Sequence, residues 1–339
     1  MEGYRNSAAR EPTDTGASQA LAIVPPDSSS LDPLRPLLAS ADGYVHDARA
    51  QNTRTAYANA WAAFERWTAE KGLVALPATS ATVALYLAHL ADDGRKVAGI
   101  GLALVAISQR HRLAGKESPS KGAAVQETFK GIRRRLGVAQ QAKRPLLVAD
   151  LKAMTAALPG SLLGVRDRAL LTLGFAGAFR RSELVALDVT DVSFTADGLE
   201  VALRRSKTDQ EGTGRKVGIP YGSLRSTCPV RALRAWLEAA VITKGPVFRS
   251  VNRWSGVGER LSDKAVALVV KRHAATIGLD AAKFAGHSLR AGLATSAARA
   301  GKSERAIMNQ TGHRSVTMVR RYIRDASLFS DNAAAGIGL

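Results

Sequence analysis

Apolar residues recur with a helical period along most of the chain, and the alternation expected of a strand is confined to a short central stretch. Residues 1–41, rich in Ala, Ser, Pro, Asp and Thr, carry no sustained period and read as a flexible arm. From residue 42 the helical pattern begins. Asn52 or Thr53 can cap a helix in which Tyr57, Trp61 and Phe64 share a face and which Gly72 ends. Ser80 starts another, with Val83, Leu87 and Leu90 on one side, and residues 97–114 and 121–136 supply two more. These four predict a helical bundle over 42–137. Residues 138–146 lose the period and contain Lys143-Arg144-Pro145, as expected of a linker.

Helices are predicted again at 148–158 and 162–176, then near 229–241, 262–277, 288–300, 303–311 and 315–323. Between them, residues 199–204 alternate as a strand, a Gly/Thr-rich turn spans 209–214, and 215–219 return, which is a hairpin pattern. The fold class is therefore mainly α with a small β-hairpin or sheet in an α+β second domain, 147–324, followed by a tail, 325–339. No internal repeat is evident.

Composition sharpens this picture. With 339 residues the chain exceeds what one core usually supports, and 46% hydrophobic content suffices for two. The net charge of +19 favours an anionic partner. Residues 1–41 hold three basic and five acidic residues, so the rest of the chain carries +21. Between Ala281 and Arg324 there are nine Lys and Arg against one acidic residue, Glu304. A solvated basic surface is the bland alternative for any one such stretch. The single cysteine, Cys228, excludes an intrachain disulfide and fits a reducing compartment. The longest apolar run, Val97 to Ile107, is far short of the roughly 20 residues that cross a bilayer. The start of the chain lacks the pattern of a secretory leader, and a cytoplasmic, nucleoid-associated protein without membrane partners is expected.

The most specific chemistry is a scattered set of basic residues preceding a late tyrosine. Arg180 stands in Gly-Ala-Phe-Arg-Arg-Ser-Glu-Leu, His287 and Arg290 in Gly-His-Ser-Leu-Arg, His313 after Gly312, and Tyr322 nine residues beyond His313. A phosphodiester repels nucleophiles and gains charge on its non-bridging oxygens during attack. Arginine meets that charge with two parallel donors and stays protonated. Two arginines could clamp one phosphate without a metal. A tyrosine hydroxyl, with a free pKa near 10, becomes a nucleophile only where cations or a base assist it. Taken singly, Arg180 with Glu183 could be a surface ion pair, His287 a capping or core histidine, and Tyr322 a packed aromatic.

In this order and spacing the residues resemble the active site of the tyrosine recombinases, the phage-integrase family. Gly-His-Ser-Leu-Arg-Ala-Gly and Arg-Arg-Tyr-Ile-Arg are most similar to the Cre-type members. The resemblance covers roughly residues 45–325. It implies a helical core-DNA-binding domain and a catalytic domain that together form a clamp around DNA. It implies a site-specific recombinase acting through a 3′-phosphotyrosyl intermediate and a Holliday junction, with no cofactor or metal, as a tetramer on paired double-stranded DNA sites.

Carried over residue by residue, Arg180 and Arg290 would bind the scissile phosphate and Glu183 would support the site. His287 would donate a hydrogen bond or relay a proton, His313 would donate to the phosphate, and Tyr322 would attack. Lys207 would protonate the departing 5′-oxygen, with Arg204, Arg205 and Lys216 as rivals. Arg320, Arg321 and Arg324 crowd the tyrosine in sequence. Candidate DNA contacts are Arg54, Lys130, Arg133, Arg134, Arg135, Lys143, Arg144, Arg314, Arg320, Arg321 and Arg324. Two rival functions share some of these features: a type IB topoisomerase, and a non-catalytic DNA-binding regulator, which requires loss of a key residue.

Overall fold

The computed structural model describes residues 34–138, 143–204 and 214–327. The chain divides into two compact units between Gln140 and Gln141, within the expected linker.

The first unit holds helices α1 (Arg35–Asp47), α2 (Gln51–Glu70), α3 (Ser80–Asp92), α4 (Val97–Leu113) and α5 (Ala123–Leu136). Helix α1 crosses the boundary expected at residue 41. Pro36 sits in its first turn, where a missing N–H costs nothing. Leu37 and Tyr44 stay exposed, so no apolar face betrays the helix in the sequence. The other four match the predicted bundle. Thr79 caps α3 by accepting from the Thr82 N–H. Helix α2 packs on α4 and α3 on α5, around Phe64, Val83, Leu87, Ile100, Ile107 and Val125. His111 is buried at the end of α4: its Nε2 accepts from the Ala78 N–H at 2.9 Å, and its Nδ1–H donates to the Ile107 carbonyl at 2.8 Å.

The second unit runs α6 (Val148–Ala156), α7 (Leu162–Ala176), α8 (Arg181–Ala186), β1 (Val192–Phe194), β2 (Gly198–Leu203), β3 (Arg215–Pro220) and α9 (Pro229–Ala239). It continues with β4 (Arg249–Val251), β5 (Val257–Arg260), α10 (Asp263–Thr276), α11 (His287–Arg299), α12 (Glu304–Thr311) and α13 (Val316–Ser327). Strands β1, β2 and β3 form an antiparallel sheet in that order, with Leu199 opposite Ile219 and Val201 opposite Val217. Strands β4 and β5 form a second antiparallel pair, which the sequence pattern did not predict; their residues are largely exposed and do not alternate.

Helix α7 is the centre of this unit. Its residues from Ala169 to Phe175 are all buried, because it packs on α9 and is approached by α6, α8, α10 and α11. A buried ion network ties it to α10. Asp167 Oδ1 accepts from Arg166 Nε at 2.9 Å and Nη2 at 2.6 Å, while Asp167 Oδ2 lies 2.8 Å from His273 Nε2. Each charge has partners, as burial demands. The chain enters the unit in extended form: the Arg144 N–H donates to the Lys283 carbonyl and the Leu146 N–H to the Ser288 carbonyl, which sets residues 144–146 along the start of α11. Among the described residues, no helix is long and apolar enough to cross a membrane.

Candidate active site

The end of α7 creates the first half of the site. Gly177 caps the helix, and Ala178 takes a positive φ of 48°, an uncommon value for a residue with a side chain. The turn delivers Arg180 to the position just before α8. Glu183, in the first turn of α8, accepts from the Arg180 N–H through Oε2 at 2.8 Å and from Arg180 Nη1 through Oε1 at 2.5 Å. One buried carboxylate thus closes the helix start and orients the guanidinium. Arg181 points elsewhere and pairs with Asp263 at 3.0 Å.

Helix α11 supplies the second half. Arg290, one turn after His287, is 1% exposed, and its Nη1 donates to the Ala178 carbonyl at 2.8 Å. The unusual φ of Ala178 therefore serves to aim a carbonyl between the elements that carry the two arginines. Among the described residues, the buried Arg290 Nη2 has no hydrogen-bond partner. Burial, and then the Arg180 cation, push the Arg290 guanidinium down to about 10, which still leaves it charged at neutral pH.

His287 Nε2 lies 3.2 Å from the Tyr322 hydroxyl. Burial, followed by Arg290 and Arg180, lowers the His287 pKa, so the imidazole is neutral at pH 7. His313 follows Gly312, whose left-handed conformation (φ 64°) ends α12. The Thr311 hydroxyl donates to the Ile307 carbonyl at 2.7 Å, so His313 Nδ1, 2.7 Å from that hydroxyl oxygen, must carry the proton between them. Burial and the neighbouring cations, Arg290 foremost, push His313 down to about 4. Its ring centre is 5.9 Å from that of Tyr322.

Tyr322, on α13, rests its ring against a small apolar cluster of Ala294, Ile307 and Val319 while its hydroxyl meets His287. The crowd of arginines around it is a feature of the sequence only. Arg320, Arg321 and Arg324 are exposed on other faces of the helix, and Arg320 pairs with Glu304 at 3.1 Å. Arg180, Glu183, His287, Arg290, His313 and Tyr322 thus converge, from α7–α8, α11 and α12–α13. Lys207 lies outside the described residues.

A further member was missed. Arg215, the first residue of β3, donates through Nη1 to the carbonyls of Asn309 and Gln310, both at 3.3 Å. Burial lowers its pKa; Glu183 opposes that shift and Arg180 adds to it, which places Arg215 in the same electrostatic cluster. The available signal was the period of two: Arg215 shares a strand face with the buried Val217 and Ile219.

The DNA-contact candidates divide. Arg133, Arg134 and Arg135 are exposed at the end of α5, and Arg314 is exposed beside His313. Lys130 pairs with Glu127 at 3.3 Å, and Arg54 bonds Gln51. Lys143 and Arg144 are engaged in the second unit: Lys143 Nζ donates to the Ala282 carbonyl at 2.6 Å, and Arg144 lies over the Phe284 ring and 3.6 Å from Asp150.

Comparison with known proteins supports one assignment. The model of the phage integrase family matches residues 144–328. An integrase/recombinase xerD homolog from Selenomonas ruminantium is 43% identical over 294 residues, covering 85% of this chain and 86% of its own. Among solved structures, a lambda integrase dimer bound to a COC′ core site matches with a TM-score of 0.55 at 20% identity, over 88% of this chain and 77% of that one. XerH recombinase bound to palindromic difH matches with a TM-score of 0.54 at 18% identity, over 75% and 73%. These two likenesses are of fold.

The relatives do not single out the Cre-type members expected from Arg-Arg-Tyr-Ile-Arg and from Gly-His-Ser-Leu-Arg-Ala-Gly, which ends in Ala291-Gly292. That small pair has a local cause: a Cβ on Gly292 would lie 1.8 Å from the Leu146 carbonyl oxygen. With a family model over more than half its length and a 43% identical relative matched across most of both sequences, the chain belongs to the phage integrase family of tyrosine recombinases.

Proposed function

We propose that this protein is a site-specific DNA recombinase in which Tyr322 attacks a phosphodiester held by Arg180 and Arg290. The observation that carries the reading is the 3.2 Å contact between the Tyr322 hydroxyl and His287 Nε2, beside guanidiniums that share the buried counter-charge of Glu183.

The chemistry follows from these groups. The Tyr322 oxygen bonds to phosphorus as the bond to the 5′-oxygen breaks, and the phenolic proton passes to neutral His287 Nε2. The departing 5′-oxygen takes a proton from a donor, for which Lys207 is the expectation. Arg180 and Arg290 meet the charge that grows on the non-bridging oxygens; their neighbours already fix them, so little reorganisation is needed. The incoming phosphate favours protonated His313, which then donates to it through Nε2. A 5′-hydroxyl from a second strand reverses the step, releasing Tyr322 and joining new partners. One phosphoester replaces another, so the bond energy is conserved.

Paired double-stranded DNA sites, a tetramer and a four-way junction follow from the family resemblance. The exposed arginines of α5 and Arg314 are the contacts proposed for the DNA backbone, which gives affinity rather than sequence choice. A DNA substrate places the working protein with the nucleoid.

Nicked DNA that loses its 5′-end fragment after cleavage traps the covalent complex. Wild-type protein should accumulate on such DNA, and Tyr322→Phe should bind it with little change but form no covalent product. Persistent covalent capture by Tyr322→Phe would remove this tyrosine from the mechanism.

A further inference from the structure

We propose that Arg215 is a positioning residue, one that fixes the Gly312–His313 turn by capping the end of α12. The inference rests on the strand-cleavage reading above and adds to it a residue that neither the motif nor the resemblance marks.

The last carbonyls of a helix have no partner within it, and here those of Met308, Asn309 and Gln310 can be traced. The Ile307 carbonyl accepts from the Thr311 hydroxyl, and the Met308 carbonyl from the Gly312 N–H at 2.7 Å. The carbonyls of Asn309 and Gln310 follow, and Arg215 Nη1 serves both. A cation at this end of a helix is also favoured by the helix dipole. The glycine is matched to it: a Cβ on Gly312 would lie 2.8 Å from Arg215 Nε and 2.9 Å from Cζ, so the guanidinium occupies space that only glycine leaves open.

A second tie reinforces the first. The Gln310 side-chain amide donates to the Ala176 carbonyl, at 2.8 Å, and to the Gly218 carbonyl, at 3.2 Å. Strand β3 and the end of α7 are thereby fastened to the end of α12, two residues before His313. Thr311, which orients the His313 ring, lies between the residues that Arg215 holds and the histidine itself. Among the described residues, the buried Arg215 Nη2 has no hydrogen-bond partner; it is the contact with Gly312 that sets the guanidinium against the turn. A lysine would keep the charge but lose the guanidinium that fills the space beside Gly312.

The test is a double-mutant cycle with a separate structural readout. Single-turnover cleavage of nicked DNA is measured for wild type, Arg215→Gln, Arg215→Lys, His313→Ala and the Arg215→Gln/His313→Ala pair. Arg215→Gln should slow cleavage by about tenfold or more, as misplacement of a reacting group does, with DNA affinity unchanged. It should cost nothing further where His313 is already alanine. A wild-type rate in Arg215→Gln, or a full multiplicative loss in the pair, overturns the proposal.

Amide hydrogen exchange on the same full chain reads the position without any cleavage. In Arg215→Gln, or in Arg215→Lys should the first variant not fold, exchange should accelerate at residues 312–314 and not at α6 or α9. Unchanged exchange, or equal acceleration throughout the second unit, also overturns it. If wild type itself forms no covalent complex, the functional reading fails while the exchange result still judges Arg215.

Discussion

His287 and His313 are neutral because the protein makes a second proton costly there. Both are shifted down from 6.5 by burial and by the arginines around them, His313 to about 4. The sign of the pH dependence follows. If His287 accepts the phenolic proton it must be neutral, and its folded pKa lies below 6.5, so cleavage should fall on acidification with a midpoint below 6.5. A rate that declines with a midpoint above 6.5 contradicts the assignment. Stability has the same direction: below pH 6.5 the unfolded chain binds protons that the folded histidines refuse, so stability is lost as the pH drops from 6.5 toward 4. Above 6.5 these two groups contribute nothing. Denaturant titrations at pH 7 and pH 5, with each histidine replaced in turn, check this.

At this scale the sequence was most legible where spacing carried the message. Arg180 with Glu183, and His287 with Arg290, are each three residues apart at a helix start, and the structure sets each pair on one side of its helix. Arg215 was hidden because an isolated strand arginine looks like any solvated one until its partners, nearly a hundred residues away, are known.

Elements were legible in proportion to their length and their apolar face. Helices α2 and α9 gave clear periods because each buries one row of large side chains, whereas α7, buried continuously from Ala169 to Phe175, was legible by its apolar length. The six-residue α8, the three-residue β1 and the exposed β4–β5 pair gave none, since backbone pairing and tertiary contacts define them. Gly292 is an element-scale constraint. It lets α11 approach the extended segment through Leu146, and that helix carries His287 and Arg290. Gly292→Ala must move backbone, so it should destabilise the protein by about 1–3 kcal/mol, the usual cost of overpacking, and slow cleavage with it. Urea denaturation and single-turnover rates measure both; unchanged values would mean that the close approach is not maintained in solution.

Over the whole molecule, two separately packed units and a net charge of +19 suit a long polyanion, and residues 281–324, which include the helices of His287, His313 and Tyr322, carry nine basic residues against one acidic. Six residues from three regions of one unit converge there, and their chemistry has one product. The most direct test is to trap the protein on nicked DNA, digest it and map the linked peptide by mass spectrometry. Among the six tyrosines, the nucleotide should be found on Tyr322, joined through its 3′-phosphate. A nucleotide on any other residue, or a 5′-phosphate linkage, would contradict the account.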